Sequence, residues 1–202
     1  MSNIFKLHKE KPVRLGHKKA KSSKKQQMED KGQQNLFEKP SPQILSLPKK
    51  MSAFEQAYLN DEQGNPNAKA AYLKAVESGD YKADAYCNLG ILEAHEGDYV
   101  KAIDYFSLAL ATDPRHYEAH FNLANLYFDN ENLKLAKLHY ETAKNIEPED
   151  PNIYFNLGLV QAMIGEISSA IKSLSTYSQM VGNKKAGKAI DLVSQLTHSQ
   201  KA

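Results

Sequence analysis

From residue 51 onward, apolar side chains return every three to four positions, the spacing that lines one face of an α-helix. A longer interval is superimposed on the first. "YCNLG" at 86–90, "HFNLA" at 120–124 and "YFNLG" at 154–158 lie 34 residues apart. Ala102, Ala136 and Ala170 keep that interval. Ala109 and Ala143 keep it too, with Tyr177 where a third alanine would fall, and Phe106 and Tyr140 are followed by Leu174. Each unit reads as two amphipathic helices around a polar turn: "EGD" at 96–98, "NEN" at 130–132, "IGE" at 164–166. Pro114 and Pro148, each behind an acid, close the second helix, because the residue before proline is pushed out of the α region. Gly182 holds the third such place.

The ends are less regular. Ala68, Tyr72 and Ala75 continue the pattern upstream. "MSAFEQAYLND" supplies the helix before them after a one-residue slip, which puts Ala57 at a small position and Gly64 in the turn. Downstream, Ala186, Ala189, Ile190, Val193 and Leu196 share one face of a predicted helix, weakened by Gly187, that would cover the open end of a stack. Residues 1–50 carry no periodicity, and their few apolar side chains cannot offset ordering entropy, so disorder is expected there. Their one apolar island is "PSPQILSLP" at 40–48. The expected organisation is a tail over 1–50, a degenerate repeat over 51–82, repeats over 83–116, 117–150 and 151–183, and a capping helix over 184–202.

This interval and residue pattern resemble the tetratricopeptide repeat (TPR) family. Counting from residues 83, 117 and 151, the family's aromatic fourth position is Tyr86, His120 and Tyr154. Its seventh is Leu89, Leu123 and Leu157, its small eighth is Gly90, Ala124 and Gly158, and its twentieth is alanine each time. The departures are Glu93 and Gln161 at the eleventh position, on either side of Tyr127, and the end of the third repeat. The resemblance implies an all-α solenoid of helical hairpins: three clear repeats, one worn N-terminal repeat and a C-terminal cap, behind a basic tail.

At the helical pitch, positions 4, 7, 8 and 11 share one face, and positions 2, 6, 9 and 13 form a second stripe flanked by position 5. In the family the second stripe lines a concave surface. The resemblance therefore implies a groove for a partner protein's extended or helical segment, lined by Asn88, Ile91, Phe121, Asn122, Asn125, Phe128, Phe155, Asn156 and Leu159. Large apolar side chains on an open wall mark a contact site. The row Asn88, Asn122, Asn156 is similar to the asparagine ladder in the TPR region of O-linked GlcNAc transferase, where amides hold a peptide backbone. An amide can donate to a peptide carbonyl and accept from a peptide N–H whatever the side chain. The same row has an alternative reading, hydrogen bonding within the stack. The chaperone-binding members hold an acidic C-terminus with Lys and Arg at positions 2, 5 and 6, and none of those positions is basic here.

Charge adds an asymmetry. The net +2 hides a tail (1–50) with 13 Lys and Arg against 4 Asp and Glu, joined to a body with 13 against 20. "KKAKSSKK" at 18–25 suits a weak polyanion contact through residues 1–39, by counterion release. It lacks the aromatic interleaving that sequence readout needs. A second functional reading follows: a nucleic-acid- or ribosome-associated protein anchored by the tail. A third is an assembly chaperone for a partner subunit. The opposite signs also predict a self-contact of residues 40–48 with the groove.

Chemistry of other kinds is not indicated. One cysteine, Cys87, allows neither an intrachain disulfide nor a four-cysteine metal site. No apolar run approaches the ~18 residues of a membrane span, and the N-terminus has no secretory h-region, so a cytoplasmic location is expected. No nucleotide-binding or zinc-protease motif is present. His116 and His120 have a spacing that suits zinc on a helix, but His120 stands where Tyr86 and Tyr154 are core residues, so a structural role is expected. The sequence predicts no catalytic residue, no metal, no cofactor and a non-enzymatic adaptor or scaffold.

Overall fold

The computed structural model describes residues 51–182 and 184–199. The expectations placed on the tail, its disorder, its polyanion contact and the self-contact of 40–48, lie outside the described residues. Among those residues there are nine α-helices and no strand: α1 (Ala53–Glu62), α2 (Ala68–Ser78), α3 (Lys82–Glu96), α4 (Tyr99–Thr112), α5 (Tyr117–Asp129), α6 (Leu133–Ile146), α7 (Pro151–Met163), α8 (Ile167–Val181) and α9 (Gly187–Ser199). Consecutive helices pair into hairpins, α1 with α2 through α7 with α8, and α9 packs on α8. Beyond the hairpins, α3 touches α5; the first helix of each hairpin (odd-numbered) is termed inner here and the second (even-numbered) outer.

Side-chain caps set several helix starts. Ser52 and Glu55 form a reciprocal capping box at α1. Asp98 accepts from the Lys101 N–H at α4, Asn132 from Leu135 at α6, and Asp150 from Asn152 at α7, where Pro151 opens the helix. The turns inside the hairpins need a left-handed residue, supplied by Gly97 (φ 86°), Glu131 (φ 59°) and Gly165 (φ 85°) at the 34-residue interval. Glu131 pays the Cβ clash that glycine avoids. Glu131→Gly is therefore expected to raise stability by about 0.5–1 kcal/mol, read as a higher urea midpoint. A lower midpoint would count against this account.

The periodic residues close the hairpins. Ala102, Ala109, Ala136, Ala143 and Ala170 are fully buried, as are Phe54, Ala57, Tyr72, Ala75, Tyr140 and Leu174. The small eighth position is set by close approach: a Cβ built on Gly90 would lie 2.7 Å from Phe106 Cε1, and one on Gly158 2.7 Å from Leu174 Cγ. Helix α7 is apolar nearly all round and is buried from Phe155 through Ala162. The cap differs in detail from its prediction. Ala186, Ala189, Leu192 and Leu196 face the stack and Val193 packs beside them, whereas Ile190 is 43% exposed. The buried stripe of α9 thus runs through Leu192 rather than Ile190.

Candidate functional site

Each recurring asparagine follows, by 16 positions, an aromatic residue with the same 34-residue interval. Tyr72, Phe106 and Tyr140 stand on α2, α4 and α6. At the first junction Asn88 Nδ2 donates to the Tyr72 hydroxyl (3.0 Å), which donates to Asp61 Oδ2 (3.1 Å). Burial, reinforced by the Asp61 charge, pushes the Tyr72 phenol well above its ordinary pKa, so it remains a donor. At the third junction the Tyr140 hydroxyl donates to Asn125 Oδ1 (2.5 Å), which also accepts from Asn156 Nδ2 (3.2 Å).

The middle junction lacks the hydroxyl, because Phe106 stands where the two tyrosines do. Asn122 Nδ2 turns back to its own helix and donates to the Glu118 carbonyl (2.9 Å). An open depression lies here, lined by Ile91, Ala94, His95, Phe106, Asn122 and Asn125, among others. Asn125 Nδ2 is buried and has no hydrogen-bond partner, alone in this among buried side-chain polar atoms of the described residues. Such a donor normally finds an acceptor, since leaving it unmet costs about 1–3 kcal/mol.

All nine expected groove residues are buried. The depression brings together Ile91, Asn122 and Asn125. Between hairpins, Asn88 donates to the Tyr72 hydroxyl and Asn156 to the Asn125 side-chain carbonyl. Phe121 stands edge-on to Tyr140 (centroids 5.7 Å apart) and Phe155 packs on Tyr177 (5.1 Å). Phe128 and Leu159 are buried and do not line the depression. Ala94 and His95 stand at the twelfth and thirteenth positions of the expected inner stripe, whereas Phe106 was not expected there, although its place between Tyr72 and Tyr140 is visible in the sequence.

Two family models described as tetratricopeptide repeat match residues 54–115 and 93–157, which together span about half of the chain. The chain belongs to the tetratricopeptide repeat family. Among curated relatives, human protein O-mannosyl-transferase TMTC3 is 35% identical over 117 residues, covering 53% of this chain and 13% of that protein. Mouse tetratricopeptide repeat protein 8 is 32% identical over 95 residues, covering 47% and 18%. The chain thus spans less than a fifth of the length of either relative. Among solved structures, YrrB, described as a TPR protein with an unusual peptide-binding site, superposes with a TM-score of 0.63 at 21% identity, over 72% of this chain and 74% of that one. The first TPR of Spaghetti, bound to an HSP90 peptide, superposes with a TM-score of 0.55 at 18% identity, over 60% and 94%. At these identities the structures share the fold. No helix among the described residues is long and apolar enough to cross a membrane.

In TPR terms, the eleventh position is polar twice and satisfied both times. Glu93 pairs with Lys69 of the preceding hairpin (3.0 Å), and Gln161 Oε1 accepts from the Ser173 hydroxyl (2.8 Å). His116 caps α5 by accepting from the Ala119 N–H (3.2 Å), with Nε2 3.6 Å from Asp84 Oδ1. Burial alone would lower its pKa, but the Asp84 hydrogen bond and the Glu118 charge outweigh that and raise it. His120 lies with Nδ1 2.9 Å from His139 Nδ1, and its Nε2 faces the Pro114 carbonyl at 3.2 Å. Burial lowers the pKa of both, His139 to about 4, so the pair is neutral with one ring donating to the other. The described residues contain no group of three or more His, Cys, Asp or Glu placed to hold a metal.

Proposed function

We propose that the inner face of this TPR array holds a segment of a partner protein, and that the chain acts as a non-enzymatic adaptor or scaffold. The observation that supports this best is the depression at the middle junction, where amides and apolar side chains share a concave opening. That mixture suits a peptide, with side chains on the apolar wall and backbone on the amides. An acidic C-terminus is not the proposed ligand. The positions that would clamp it are Asp84, Cys87 and Asn88, then Glu118, Phe121 and Asn122, and the wall is acidic rather than basic. Residues 1–39 add a salt-screened contact with polyanions, on the strength of their charge alone.

The test compares two variants of the full chain. Asn122→Ala with His95→Glu alters the depression; Val100→Glu alters an outer side chain that is 73% exposed. A stoichiometric partner recovered at moderate salt is expected to bind the first variant about tenfold more weakly, the equivalent of one lost hydrogen bond. It is expected to bind the second like wild type. Equal binding to all three proteins, with helicity retained, would overturn the reading.

A further inference from the structure

We propose that the middle junction is a built ligand subsite, that it takes a main-chain carbonyl of an extended segment on Asn125 Nδ2, and that its occupant is this chain's own residues 40–48. The proposal rests on the groove reading above and adds its regulation: the segment competes with an outside partner for the same opening.

Three observations carry it. The first is the unmet donor. Asn125 Oδ1 is committed to the Tyr140 hydroxyl and Asn156 Nδ2, so its amide is oriented by two bonds that leave Nδ2 over. What is missing is an acceptor, and a peptide carbonyl is one. The absence of a hydroxyl on Phe106 keeps the neighbouring Asn122 out of the hydroxyl–amide pattern and leaves its Oδ1 as the matching acceptor for a peptide N–H.

The second is the chemistry of the segment. Pro40, Pro42 and Pro48 have no N–H to donate, so the segment offers more backbone acceptors than donors. Ile44, Leu45 and Leu47 suit the apolar wall at Ile91 and Ala94. Lys39, Lys49 and Lys50 flank the segment, and the body it would lie against carries 20 acids to 13 bases, among them Asp84, Glu118 and Asp129 on inner helices. Opposite charge steers the encounter and fixes its sense.

The third is reach. In the sequence, Pro48 stands five positions before the first residue of α1. From α1 to the space between α3 and α5 is roughly 15 Å across packed helices, and Asn125 lies about 12 Å along α5 from its start. Residues 42–46 stand five to nine positions before residue 51, which spans roughly 16–30 Å when extended. The closure is short, so its entropic cost is small.

The test uses the full chain with the exposed His95 replaced by the photo-reactive p-benzoylphenylalanine (His95→benzoylphenylalanine), irradiated in dilute solution and mapped by mass spectrometry. An intrachain cross-link to residues 36–50 is expected. Phe106→Tyr, which restores the hydroxyl found at the sister junctions, is expected to reduce it about tenfold, as is Ala94→Gln at the half-buried rim. A synthetic peptide of residues 36–50 added in excess should compete in the same way. Cross-links confined to residues 51–199, or formed only between chains, would overturn the proposal. A partner protein that cross-links at position 95 while the tail does not would overturn it and leave the adaptor reading intact. If partner and tail both fail to cross-link there, the adaptor reading falls with it.

Discussion

Gly158→Val is expected to destabilise the array by about 3 kcal/mol. Helix propensity argues the other way, since replacing a mid-helix glycine normally recovers conformational entropy. Contact decides the sign. The first added carbon would lie 2.7 Å from Leu174 Cγ and 3.4 Å from the Ala170 carbonyl oxygen, and Leu174 is itself fully buried. Cγ is the branch point of the side chain, so no rotation of a flexible end relieves the clash, and α7 and α8 must move apart. Valine adds two further carbons to a hairpin already at native density. Gly187→Ala is the control: it lies at the start of α9 with nothing within 4 Å of the added carbon, and a small gain is expected. Urea unfolding followed by far-UV circular dichroism reads both. A Gly158→Val midpoint equal to wild type would mean the hairpin spacing is softer than the packing indicates.

The fold was legible because its determinants recur. Leu89, Leu123 and Leu157 are buried where the helical period puts them, and the alanines at the twentieth position are fully buried in the three clear repeats. The inner face was harder to read. Asn88, Asn122 and Asn156 are the same letter at the same interval, yet they meet a tyrosine hydroxyl, a main-chain carbonyl and a second asparagine. The difference lies in residues 16 positions before each, Tyr72, Phe106 and Tyr140, which come from the preceding hairpin. Periodicity within one helix carries no information about that contact. Helix α7 shows the same limit in another form: with apolar residues on nearly every side, its pattern does not say whether Phe155 faces outward or, as it does, Tyr177. In α9 a single turn of ambiguity sufficed to exchange Ile190 for Leu192. The histidine pair was half visible. His120 was readable as a core residue, but its partner His139 lies across the hairpin, where Tyr105 faces Tyr86 one repeat earlier.

That pair gives the array an acid sensitivity of calculable sign. An unfolded histidine titrates near 6.5, whereas burial, then the charge of His120, holds His139 down at about 4 in the folded chain. Between those values the unfolded chain binds a proton that the folded chain refuses. Stability is therefore full above about pH 6.5 and falls as pH drops toward 4, by about 1–3 kcal/mol once solvent screening of this partly buried pair is allowed for. His120, lowered mainly by burial, acts in the same direction. His116 opposes them: its pKa is raised, so its contribution grows as pH falls. The sister repeat supplies the variant that separates these effects, because Tyr86 and Tyr105 stack at the equivalent positions with centroids 6.3 Å apart. His120→Tyr with His139→Tyr is expected to flatten the stability profile between pH 6.5 and pH 4, or to reverse its slope where His116 acts alone. Equilibrium urea unfolding at several pH values measures it. An unchanged slope in the double variant would mean that the acid sensitivity arises from the carboxylates rather than from the buried imidazole pair.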